Sequence, residues 1–342
     1  LPERPASPRF DLREEIKVPS PFQGHEVEAR LRPTAEAYPF DLDRVLASVV
    51  ALESRVPSDA YTAGILGTER IGNGVVISPT GLVLTMAYLI TEAREVILTL
   101  NDGRRVSGHV LGFDPRSGLG LVQALSPLDV PVMPIGTAKD LTAGDAVIAA
   151  GGGGRAHAVA GQIAARMPFS GYWEYQLDDA IMAEPAHPHW SGAALIGPKG
   201  DLVGLGYLSL EARAADGSPK PINMYVPAEL LPPILDDLAR GHQPHPPRPW
   251  LGVFTQEIND HVVIVGVSPK GPAARAELKA GDVILAVDGR GVADLAEFYT
   301  ALWSQGSAGA TIPLRVLREG DAFEVEVRSM DRGTLLKKPK FN

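Results

Sequence analysis

Residues 187–194 read His-Pro-His-Trp-Ser-Gly-Ala-Ala, with a hydroxyl at Ser191, imidazoles at His187 and His189 just before it, and small residues after it. That is the composition of a nucleophile turn. A serine hydroxyl attacks a carbonyl at neutral pH only when a neighbouring base takes its proton and a third group orients that base. His187 or His189 would serve as a substitute base from the serine's own loop, giving a hydrolase that acts through Ser191. The opposing reading is a pair of loop histidines held by Pro185 and Pro188, favoured because no orienting group accompanies them. With Glu184, the His-x-His pair is also a donor set able to hold a divalent metal, although two imidazoles and a carboxylate form an unspecific pattern.

A second motif points to different chemistry. Gly151-Gly-Gly-Gly-Arg-Ala156 follows the apolar run 146–150 and matches the Gly-x-Gly-x-x-Ala fingerprint of dinucleotide enzymes. That fingerprint works only in a strand-turn-helix of a βαβ unit with a ribose-binding acid beyond it. Hairpin signals surround it here, so it reads as a glycine turn between barrel strands.

The 342 residues include 36 glycines, 30 prolines and no cysteine, with a formal net charge of −9. Without cysteine there are no disulfides, thiolate nucleophiles or thiolate zinc sites. An acidic chain without a long Lys/Arg run lacks the basic footprint that nucleic acid requires. No stretch approaches the ~18 consecutive apolar residues of a membrane span, and nothing calls for a cofactor. Because the sequence begins at Leu1, a removed export signal is an expectation.

Glycine and proline recur between short apolar runs, which predicts many turns and strands. Residues 1–40 form a Pro-rich arm whose aromatics, Phe10, Phe22, Tyr38 and Phe40, dock elsewhere. A short helix is expected near 40–46. Strands are expected at 47–52, 74–78, 82–85, 95–100, 106–111, 119–124, 145–150, 175–182, 193–197 and 202–208, with Pro79-Thr80-Gly81 turning a hairpin. A helix is expected within 228–239, limited by Pro232 and Pro233. The stiff stretch 241–249 separates the barrel region, 41–240, from a domain at 250–331 and a tail at 332–342. That last domain shows strands near 251–256, 261–267, 283–287, 312–317 and 322–328. Its helix, 294–305, is marked by an apolar stripe and the capping pair Asp294 and Glu297.

The order of these motifs resembles the HtrA/Deg family of trypsin-like serine proteases. Gly72-Asn-Gly-Val-Val-Ile77 with Gly81-Leu-Val-Leu-Thr85 is similar to the strands leading to the family's catalytic histidine. Asp114-Pro115 with Leu119-Gly-Leu-Val122 is similar to the segment carrying its aspartate. Asp178-Asp-Ala-Ile181, Ser191-Gly192, Gly200-Asp-Leu-Val-Gly-Leu-Gly206 and Asn223-Met-Tyr-Val-Pro227 follow its nucleophile segment and barrel end. The resemblance spans about residues 41–331. It implies an all-β dominated fold, a trypsin-like double β-barrel followed by a C-terminal PDZ domain.

Under that resemblance the catalytic set is incomplete. Tyr88 stands where the family has its histidine and Gly118 where it has its aspartate, so only Ser191 remains. His189 replaces a glycine at the oxyanion turn, after an inserted stretch at 184–188. A tyrosine with a pKa near 10 is a poor base at pH 7 and glycine orients nothing, so the implied protein is a pseudoprotease.

In the C-terminal domain, Arg248, Trp250, Leu251, Gly252 and Val253 resemble a carboxylate-binding loop, with the helix bearing Phe298 and Leu302 as the other wall. The resemblance implies a groove that takes peptide or protein C-termini; the alternative is a groove closed or occupied by the chain itself. It further implies a periplasmic or otherwise exported homo-oligomer, a trimer in the family's common form, built through segments ahead of the barrel.

Overall fold

The computed structural model describes residues 20–213 and 216–337. Phe10 and the rest of the arm's first part, residues 1–19, lie outside the described residues, as does the tail beyond 337. Twelve strands close into two barrels. The first comprises β1 Val49–Arg55, β2 Glu69–Val76, β3 Leu82–Met86, β4 Glu95–Thr99, β5 Arg105–Phe113 and β6 Leu119–Ala124. The second comprises β7 Ala146–Ala150, β8 Ala158–Gly171, β9 Tyr175–Glu184, β10 Ala194–Ile196, β11 Leu202–Arg213 and β12 Pro219–Pro227. Closure leaves no edge strand in either barrel.

The β-branched runs read from the sequence become strands within a few residues of their expected ends. The exceptions are β8, β12 and the two-residue β16, which the pattern did not predict. Gly161 and Pro168 interrupt β8, and its register with β9 slips between Met167 and Phe169, where Pro168 need not donate to the ladder. The region 228–239 splits into a 3-10 turn, Ala228–Leu230, and a short helix, Leu235–Ala239, on either side of Pro232-Pro233.

Six more strands, β13 Val253–Glu257, β14 Val262–Val267, β15 Val283–Val287, β16 Arg290–Gly291, β17 Thr311–Arg318 and β18 Asp321–Arg328, form a separate sheet with β13 at one edge. It carries its own core with Phe298, Tyr299 and Leu302 of the helix Leu295–Trp303. That helix is capped reciprocally: the Asp294 carboxylate accepts from Glu297 N–H at 2.7 Å, and Glu297 accepts from Ala293 N–H at 2.9 Å.

The described part of the arm docks on the second barrel. Phe22 stacks on His189 with ring centroids 4.4 Å apart, and Val27 N–H bonds Ala156 O at 2.8 Å. Phe40 covers Gly200.

Fully buried Asn73 on β2 joins the barrels. Its amide nitrogen donates to His189 O and Ser191 O at 2.8 and 3.0 Å, while its amide oxygen accepts from Gly152 N–H at 2.9 Å. Asn73→Ala would leave Gly152 N–H and His189 O without these partners in the interior, an expected loss of roughly 2–4 kcal/mol. Denaturant unfolding of the variant checks this through a lowered midpoint.

Candidate functional site

Strand β3 runs into one helical turn, Ala87–Ile90, which presents half-buried Tyr88 to the nucleophile loop. The Tyr88 hydroxyl lies 2.7 Å from Ser191 Oγ and 3.1 Å from Tyr207 O. A carbonyl only accepts, so Tyr88 donates its single proton to Tyr207, and Ser191 must donate to Tyr88. Ser191 therefore keeps its proton in this bond. Burial pushes the Tyr88 phenol above the usual tyrosine range, with the Ser191 bond opposing that shift only in part.

Gly118 sits at the turn into β6 with φ +78°. A Cβ there would meet Met86 Cε at 3.3 Å and the Tyr175 hydroxyl at 3.5 Å. Among the described residues no carboxylate orients the group facing Ser191; Asp114 instead caps its own turn, accepting from Ser117 N–H and Oγ at 2.9 and 2.8 Å.

Trypsin-like oxyanion holes use the nucleophile's own N–H and that of the residue two before it. Here the second donor, His189 N–H, points to His187 Nδ1 at 3.0 Å. His187 Nδ1 thus accepts, and its Nε2–H donates to His157 O at 2.9 Å. Burial pushes His187 down to about 4, which keeps it neutral.

These partners give the histidine pair neither of the two alternative roles. Neither imidazole serves Ser191, because His187 is satisfied at both nitrogens and His189 Nε2 turns to His25 O at 3.1 Å. Nor is the His187, His189 and Glu184 donor set assembled, since Glu184 pairs with Lys220 at 2.7 Å. Among the described residues no group of three His, Cys, Asp or Glu side chains is placed to hold a metal ion. The glycine run 151–154 lies between antiparallel β7 and β8, outside any βαβ unit.

In the C-terminal domain, the N–H groups of Leu251, Gly252 and Val253 converge as expected, and they converge on a carboxylate of the same chain. Glu174, in the β8–β9 turn, accepts from Gly252 N at 2.7 Å, from Val253 N at 3.1 Å and from Leu251 N at 3.0 Å. The sequence carried no signal for Glu174; it belongs to no motif and precedes a strand read only for its barrel role. Arg248 stacks on Trp303, its guanidinium carbon 4.2 Å from the ring, and Trp250 packs edge-on to Tyr61. Phe298 and Leu302 are buried in the domain core and do not line an open groove. Between this domain and the barrels runs a cleft of about 400 Å³ walled by Tyr88, Trp173, Trp190, Tyr207 and Trp303.

The sequence pattern of a trypsin-like peptidase domain matches residues 72–205, and that of a PDZ domain matches residues 249–328. A protein of Pseudomonas fluorescens named as a DegP-like periplasmic serine endoprotease is 29% identical over 279 residues, covering 76% of this chain and 56% of its own length. HhoA of Synechocystis, named as a serine protease, is 30% identical over 295 residues, covering 75% of this chain and 70% of its own length. The chain spans just over half the length of the DegP-like relatives. The solved serine endoprotease from Yersinia pestis superposes with a TM-score of 0.51 at 24% identity, over 84% of this chain and 95% of that one, a likeness of fold. No helix among the described residues is long and apolar enough to cross a membrane.

Desolvation pushes the Glu174 carboxyl from 4.5 up to about 7, against the downward pull of the three N–H bonds and of Arg332; Tyr299 faces it as a neutral phenol. A pKa raised in the docked state stabilises that state below about 4.5, and the stabilisation fades as pH rises through about 7. The unfolding midpoint of the native protein, relative to Glu174→Gln, is therefore expected to fall between pH 5 and pH 8. Parallel thermal melts of the two proteins measure it; a constant difference would contradict the shift.

Proposed function

Because the chain belongs to the HtrA/DegP family of trypsin-like serine proteases with a PDZ domain, we propose that it is a catalytically silent member that binds peptide or protein partners in the periplasm. The observation that carries this reading is the Ser191–Tyr88 hydrogen bond, in which the serine gives its proton's bond to a phenol that cannot accept the proton itself. Losing the base or the nucleophile of such a triad costs on the order of 10⁶ in turnover. The diversion of His189 N–H to His187 supports the same conclusion, since losing one oxyanion donor alone costs about 10²–10³. With turnover gone, the PDZ domain and the aromatic cleft are the surfaces left to act, which makes recognition of protein segments the function. Homo-oligomerisation through the arm belongs to this proposal.

The purified protein is expected to leave casein-like substrates intact and Ser191 unlabelled by organophosphonate probes at neutral pH. Tyr88→His with Gly118→Asp is expected to remain near background on fluorogenic peptides. The aspartate would enter a position with φ +78° between Met86 and Tyr175, and the oxyanion donor would stay on His187. Stoichiometric labelling of the native protein by mass spectrometry would sink the silent-protease reading.

A further inference from the structure

The loop that the PDZ domain would offer to a partner's terminal carboxylate already holds one. We propose that Glu174 is an internal ligand of the PDZ groove, so that C-terminal peptides bind this protein only after the β8–β9 hairpin has been displaced. The proposal rests on the reading of that groove as a C-terminal peptide site.

Two features of peptide recognition are copied by the hairpin. An arriving C-terminus needs a nest of backbone N–H groups for its carboxylate and a strand edge for its backbone. Glu174 takes the nest, with all three N–H groups of residues 251–253 within 3.1 Å of one of its oxygens. Tyr172 takes the edge: Thr255 N–H on β13 donates to Tyr172 O at 2.9 Å, and β13 is the outer strand of its sheet. Tyr299 on the facing helix closes the groove over the hairpin, donating to Gly171 O at 2.7 Å and accepting from Glu174 N–H at 3.2 Å. The Tyr172 ring lies 6.2 Å from Phe254.

Glu174 is the last residue of the three-residue hairpin loop 172–174 and stands at φ +57°, the left-handed position that such loops place just before the second strand. A partner peptide would have to take the same N–H groups, so its apparent affinity is reduced by the fraction of molecules in which the hairpin is docked.

The test compares the full chain with Glu174→Gly, which suits the positive φ and removes the carboxylate, and with Glu174→Gln, which keeps the shape without the charge. Fluorescent peptides with an apolar last residue, in free-acid and amidated forms, are titrated by anisotropy, and amide hydrogen exchange is followed over 251–255. Faster exchange at 251–255 is expected in Glu174→Gly, with barrel exchange unchanged. The acid peptide is expected to bind that variant at least about tenfold more tightly than the native chain, with Glu174→Gln between them. Equal affinities, or unchanged exchange over 251–255, would overturn the internal ligand. Faster exchange with no discrimination between acid and amide peptides would instead remove the C-terminal reading of the groove, and the gate with it.

Discussion

A buried side-chain amide must find partners for both its oxygen and its nitrogen inside the protein, and Asn73 finds them across the seam between the two barrels. Its oxygen holds the glycine turn at Gly152 and its nitrogen holds the carbonyls of His189 and Ser191. The nucleophile loop can approach this closely because Gly192 lies at φ +69°, where a Cβ would stand 2.2 Å from Asn73 O. Pinned from that side, the loop has little freedom left. The Ser191 hydroxyl then meets Tyr88, and His189 N–H meets the ring of His187. The arm adds a second restraint by stacking Phe22 on His189.

A comparable restraint joins the barrels to the PDZ domain. The Glu174 contact does not act alone. Tyr61 bonds Ser268 at 2.8 Å, and Lys337 N–H reaches Glu92 at 2.9 Å. Arg116 donates to Pro246 O at 3.1 Å, so the Pro-rich stretch 241–249 is fastened to the first barrel and is more than a spacer. Several weak contacts hold the surfaces in register while one carboxyl group, held by three N–H groups, occupies the groove.

What the sequence disclosed follows from how local each signal is. Runs such as Val75-Val-Ile77 and Val283-Ile-Leu-Ala-Val287, bounded by Gly and Pro, marked strands because pleat and turn chemistry are set by neighbours. The Asp294 cap was legible for the same reason. Strand β8 escaped because Gly161 and Pro168 break the alternation, and its partner β9 supplies the pairing that overrides them. In the site, Tyr88 and Gly118 were visible as replacements in an ordered series, yet the bond from Ser191 to Tyr88 depends on the meeting of two barrels. Glu174 left no trace, since a carboxylate in a hairpin turn gains its role only from amides that a different domain brings to it.

The closed nucleophile and the occupied groove share one body of aromatic packing. Tyr207, whose carbonyl accepts the Tyr88 hydroxyl bond, has its ring 5.6 Å from Tyr88 and 4.8 Å from Tyr175. Tyr175 in turn stacks on Trp173 at 5.8 Å with an interplanar angle of 15°. Trp173 is the neighbour of Glu174, so the rings that wall in Ser191 also seat the base of the hairpin that enters the PDZ groove. An imidazole at position 88 would be smaller and would leave the Tyr207 face less covered. The phenol that accepts the Ser191 hydroxyl bond is therefore also a supporting surface, one ring, Tyr207, removed from both Tyr175 and Trp173, for the turn that presents Glu174.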